Sequence, residues 1–96
     1  MWHDTKIQIT GKNMSNEIKN RVKQVLVNKI LKDMSPEDIG DDTSLIELGV
    51  GVDSVATLEL IVALEKEFQI SIDESDVNPE LLATVDSIAA YISERM

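Results

Sequence analysis

The residues with most chemical promise lie in ELGVGVDSVATLEL, residues 47–60, where two Gly-Val pairs lead into Asp53 and Ser54. Glycines ahead of a helix expose backbone N–H groups, an arrangement that can cradle a phosphate. A phosphate loop, however, closes on Gly-Lys-Ser/Thr, and a dinucleotide fingerprint needs a strand before it within a βαβ unit. This stretch has neither. A hydrolytic serine needs a positioned base, and the one histidine, His3, stands in the N-terminal stretch, far from Ser54 in sequence. The pairs Asp41-Asp42 and Asp73-Glu74 fit solvated helix caps better than acid–base machinery. Asp73, Ser75 and Asp76 lack the spacing, glycine and closing glutamate of an EF-hand. No enzyme activity is therefore expected. A hydroxyl on which another protein acts is the remaining chemistry, since a helix N-terminus suits an attached phosphate. On the residues alone, Ser54 as an early helix residue behind Asp53, an ordinary N-cap, is the leading reading.

The elements that must position this serine can be read from caps and apolar spacing. Residues 1–14 look like an appendage: KIQIT alternates but has no partner strand, so a disordered or loosely docked tail is expected before a domain of residues 15–96. Ser15 suits the cap of a first helix, with Ile18, Val22, Val25, Leu26 and Ile30 on one stripe and Lys19, Arg21, Lys23 and Lys29 left for solvent. Ser35-Pro36 opens a short turn, and Ser44 and Glu47 stand at capping-box spacing before Gly49 stops any helix. Asp53 opens a second long helix over Ser54–Phe68. Its apolar residues Val55, Leu58, Leu60, Ile61, Val62, Leu64 and Phe68 cover more than half the circumference, which predicts burial on most sides. An irregular connector follows, with Asp73 capping a short turn and Asn78-Pro79 interrupting it. Thr84 caps a last helix whose inner stripe is Val85, Ile88, Ala89 and Ile92. The expected fold is all-α: a bundle of three main helices plus a short fourth, with one long loop between the first and second.

Size and composition fit that plan. Ninety-six residues make one small domain, and the absence of cysteine leaves its apolar core to hold it. No apolar run is long enough for a membrane span, and the N-terminus has no signal-peptide pattern, so a cytoplasmic protein is the default. Charge is uneven. Residues 1–33 carry seven Lys/Arg and three Asp/Glu, whereas residues 34–96 carry two bases and fifteen acids. From charge alone a solvated acidic surface that aids solubility is the leading reading; such a surface would also repel nucleic acid and anionic membrane and attract proteins with basic patches.

Asp53–Phe68, DSVATLELIVALEKEF, resembles the modification site and second helix of acyl carrier proteins. Gly51, Val52, Asp53, Ser54 and Val55 match the family's Gly-x-Asp-Ser-Leu, with valine for leucine, and the likeness extends over about residues 15–93. It implies the carrier bundle and 4′-phosphopantetheine, drawn from coenzyme A and joined to Ser54 through a phosphodiester, with Asp53 as the adjacent motif acid. The terminal thiol of that arm would carry acyl groups as thioesters for fatty-acid, lipid or polyketide-type biosynthesis. Implied partners are a phosphopantetheinyl transferase and acyl-loading and acyl-processing enzymes with basic patches, meeting a monomer at Val55, Glu59, Glu65, Asp73, Glu74 and Asp76. An aminoacyl or peptidyl carrier and an unmodified interaction domain of the same fold are the alternatives. The departures are the repeated Gly-Val, read as a lengthened loop, Ala56 where an acid is common, Lys66 within the acidic helix, and the long Asn78-Pro79 region. They point to a carrier with its own partner set.

Overall fold

A computed structural model describes the backbone of residues 2–96 and the side chains from residue 16 onward. Three α-helices form its frame: α1 (Trp2–Lys29), α2 (Ser54–Phe68) and α3 (Val85–Arg95). Single 3-10 turns at Pro36–Asp38, Ile46–Leu48 and Glu74–Asp76 punctuate the two connections. Among the described residues none lies in a strand. The all-α bundle is therefore as expected, with the short fourth helix reduced to the turn Glu74–Asp76. The helical backbone passes through Ser15. The side chains of residues 1–15 fall outside the described ones, so the division into a tail of residues 1–14 and a carrier domain of residues 15–96 is retained only as a proposal.

Each helix turns one apolar stripe inward, because residues three and four apart share a face. Ile18, Val22, Val25 and Leu26 of α1 meet Leu60, Ile61, Leu64 and Phe68 of α2 and Val85, Ile88, Ala89 and Ile92 of α3 in one buried cluster. The connections are part of that core. Leu31, Ile39, Leu45 and Val50 from the first link, and Leu81 and Leu82 from the second, are all buried.

Two backbone bonds tie the long first link to the start of α3: Leu45 N–H donates to the Ala83 carbonyl at 2.9 Å, and Asp86 N–H to the Asp41 carbonyl at 3.0 Å. Ion pairs cross the same seam. Lys23 meets Asp41 at 2.8 Å, and Lys19 meets Asp86 at 3.0 Å and Asp41 at 3.6 Å. These lysines and Arg21 are not left to solvent as their helical positions suggested. Arg21 bridges to the Glu67 carboxylate at 2.8 Å and lies 4.5 Å over the Phe68 ring.

Caps decide where the helices start. Asp53 Oδ1 accepts from the N–H groups of Val55 and Ala56, and Thr84 Oγ accepts from the Ser87 N–H. Asp73 Oδ1 accepts from the Ser75 N–H ahead of its 3-10 turn. The expected capping box at Ser44 and Glu47 does not form. Leu45 stands at the cap of Ile46–Leu48, because Leu45 is drawn into the core and Gly49, at φ 96°, ends the turn after three residues.

One expectation for α2 is corrected. Val55 and Leu58 are 67% and 64% exposed, and Val62 is exposed too, so the helix is buried on one side only. Leu58 and Val62 border two open grooves, one against α1 and one against the second connection, and Val55 stands clear of both.

Candidate functional site

The two Gly-Val pairs have different tasks. Gly49 adopts φ 96° and Val50 then drops fully into the core, its N–H donating to the Leu45 carbonyl at 3.0 Å. Gly51 repeats the left-handed turn at φ 87°, a conformation glycine adopts without steric cost. Val52 emerges 73% exposed. The first pair plugs the core, and the second lifts the chain back out just before Asp53.

Ser54 occupies the first position of α2 and is exposed. Asp53 Oδ1 takes the Val55 N–H at 2.8 Å and the Ala56 N–H at 3.3 Å. The sequence suggested free N–H groups for a phosphate, but two of them are already engaged by this carboxylate. The helix dipole still favours negative charge at that end.

Beside Ser54 lies an open groove of about 720 Å³ between α2 and the second connection. Its floor is apolar, with Val50, Ile61, Ile72, Val77 and Leu82, and Thr57 forms part of its wall. Leu58 and Val62 make a ridge between this groove and a second one, of about 560 Å³, against Val25 and Lys29 of α1.

The six side chains expected to meet partners divide into two groups. Val55, Glu59 and Glu74 are exposed around the Ser54 end. Glu65, Asp73 and Asp76 have internal partners. Glu65 Oε2 accepts the Ile72 N–H at 2.8 Å, which fastens the connector to α2. The Ser75 N–H, then its hydroxyl, hold the Asp73 carboxyl below its usual range. Asp76 accepts from the Tyr91 hydroxyl at 2.7 Å and pairs with Arg95 at 3.0 Å. Burial, and then this bond to Asp76, push the Tyr91 hydroxyl above its ordinary value.

Thr57 and Ile46 are not among the site residues expected from the sequence, and Val52 is expected only as a motif position. Thr57 was within reach, since a residue three after Ser54 shares its face of the helix. The exposure of Ile46 and Val52 had no such signal, because loop direction is set by the glycine dihedrals.

A family model described as a phosphopantetheine attachment site matches residues 20–92. The chain belongs to this family of carrier proteins. An acyl carrier protein of Streptomyces coelicolor is 39% identical over 69 residues, 72% of each chain. An acyl carrier protein of Buchnera aphidicola subsp. Acyrthosiphon pisum is 38% identical over 78 residues, 81% of this chain and 91% of that protein. Family membership makes the chain a carrier and not an enzyme, with covalently attached 4′-phosphopantetheine as its cofactor and transferase and acyl-processing enzymes as its general class of partner.

The site fits that group. An exposed hydroxyl at a helix N-terminus can accept it, the apolar groove beside it can shelter an organic chain, and the buried Thr57 Oγ in the groove wall lacks a hydrogen-bond partner. Among the described residues no helix is long and apolar enough to cross a membrane, and no cluster of His, Cys, Asp and Glu could hold a metal ion.

Proposed function

We propose that this carrier bears its arm on Ser54 and transports acyl intermediates between biosynthetic enzymes, as a monomer in the cytoplasm. The observation that carries the reading is the placement of Ser54: exposed, on the first turn of an Asp-capped helix, at the edge of an apolar groove. On modification the Ser54 oxygen would bond to the phosphorus that bears the pantetheine, the pyrophosphate P–O bond would break with adenosine 3′,5′-bisphosphate as the leaving group, and the hydroxyl proton would pass to a base of the transferase. The attached arm supplies a thiol, which this cysteine-free chain lacks, for holding acyl groups as thioesters.

The protein's own residues do the rest. Asp53 fixes the backbone on which Ser54 stands, and Gly49 and Gly51, both at positive φ, turn the chain into it. Val52, Val55 and Leu58 offer apolar contact around it, while Glu59 and Glu74 offer charge to partners with basic patches. A dedicated partner set is supported by the extended Gly51-Val52 approach and by Lys66, which interrupts the acidic run of α2.

The test is incubation with coenzyme A and a broad-specificity phosphopantetheinyl transferase, followed by intact-mass measurement. A gain of one phosphopantetheine group that vanishes in Ser54→Ala is expected. No gain, or a gain retained in Ser54→Ala, would refute the reading. Loading with acyl against aminoacyl donors then assigns the cargo class.

A further inference from the structure

The groove of about 560 Å³ between α1 and α2 lies across the Leu58–Val62 ridge from the one beside Ser54. Val25, Leu58, Val62 and Ala63 give it its apolar surface. Of its charged lining residues, Glu67 is engaged within the fold, its carboxylate meeting Arg21 at 2.8 Å. Lys29, Glu59 and Lys66 are exposed and have no ion pair among the described residues. Among residues 16–96, Lys19, Arg21, Lys23 and Arg95 are all tied to acids. That leaves Lys29, Lys32 and Lys66, and two of these three line this one groove. A chain of net charge −9 thus sets uncompensated cations beside exposed apolar surface.

Along α2 the charges have a definite order. Glu59 and Lys66 are seven residues, or about two turns, apart and share a stripe, with Val62 and Ala63 between them. The remaining acid of α2, Glu65, accepts the Ile72 N–H. The outward charge of this helix is therefore one acid and one base, at opposite ends of an apolar step.

We propose that the groove between α1 and α2 docks an amphipathic helix of a partner protein, one that carries a base for Glu59, an acid for Lys66 and an apolar residue between them for Val62. The proposal deepens the carrier reading and rests on it in taking that partner to be an enzyme that acts on the cargo. A helix suits the surface because Leu58, Val62 and Lys66, each four residues from the next, form a ridge against which another helix packs. A uniformly basic surface is drawn by the net charge but is opposed here by Lys66 and by Lys29 on the α1 wall. A uniformly acidic one is opposed by Glu59 and by the charge of the whole chain. Mixed charge therefore selects the partner and fixes its register, while the apolar step supplies attraction. A second copy offers the same two charges, but two chains of −9 repel each other. A patch two turns long also falls short of the roughly 800 Å² per partner that a stable interface buries.

The experiment titrates the isotope-labelled, unmodified protein with three stapled helical peptides of about four turns that share one leucine row. One carries Lys and Glu two turns apart beside that row, one carries Lys at both positions, and one carries Glu at both. Amide NMR reads the place and the strength of binding. The mixed peptide should shift Val25, Leu58, Val62, Ala63 and Lys66 far more than Ile72 and Val77, and bind severalfold more tightly than either uniform peptide. In Lys66→Glu the preference should pass to the all-Lys peptide, and in Glu59→Lys to the all-Glu peptide. A merely structural disturbance would not exchange partners in this way. Equal binding of the three peptides, shifts centred on the groove beside Ser54, or no binding would overturn the proposal. So would sedimentation showing that the protein pairs with itself and that Lys66→Glu abolishes the pairing. None of these measurements uses the arm, so their failure leaves the modification test at Ser54 standing. Failure of that test with the peptide preferences intact would remove only the partner's identity as an enzyme of the cargo.

Discussion

At the scale of single residues, Asp53 and Ser54 divide the work of the site. Asp53 satisfies two N–H groups that the first turn of a helix otherwise leaves to water, and so fixes where α2 begins. Replacing it with alanine should cost about 1 kcal/mol of stability, the usual penalty for losing an N-cap, read as a lower denaturation midpoint. Asp53→Asn should recover most of that loss. This much of the site was legible in the sequence: the cap, the serine and the helix from Ser54 to Phe68 follow from local rules, and the structure gives the same bounds. The task of the second Gly-Val was not legible. Whether Val52 is buried or exposed depends on the dihedrals of Gly51, and a chain without coordinates does not display them.

Among the elements, the seam between α1, the first connection and α3 carries a pH dependence. The Lys23 ammonium, and secondarily Lys19, holds the Asp41 carboxyl below its ordinary 3.8. The stability contributed by this ionised carboxylate is present above that value and is lost as pH falls through the lower folded one. Asp86, and secondarily Asp41, raises Lys19 above its ordinary 10.5. Its share is complete below that value and is lost as pH rises beyond it. Melting temperature should therefore drop on acidification below about pH 4, the ordinary carboxylate range. Asp41→Asn should be less stable than the parent at neutral pH and show a shallower fall in the acid window. Parallel curves for the two proteins would contradict this role for Asp41. The stripe of α1 was visible in its spacing, but these cross-chain pairs were not, because contacts between Lys19 and Asp86 arise only from packing. The same reason explains α2. Its apolar circumference was read correctly from the sequence, yet which part is covered depends on neighbours, and the flank of Val55, Leu58 and Val62 has none.

Taken as a whole molecule, the chain has a formal charge of −9 and distributes it unevenly. Lys19, Arg21, Lys23 and Arg95 are tied to acids within the fold, while Glu47, Glu59 and Glu74 are exposed and have no ion pair among the described residues. Glu59 and Glu74 stand near Ser54, and we propose that they draw a basic partner to that end. Glu59→Lys should slow transfer of the arm severalfold at low ionic strength. The difference should narrow as salt shortens the screening length to about 8 Å at physiological strength. Equal rates for the two proteins at low salt would remove the steering idea. The acidic bias was plain in composition, but composition did not show that Glu65, Asp73 and Asp76 are engaged within the fold. Whether Ser54 bears the arm is decided by fragmentation mass spectrometry of the modified protein. Phosphopantetheine is expected on the peptide containing Asp53 and Ser54, at the serine oxygen. Phosphopantetheine located on any other residue would contradict it.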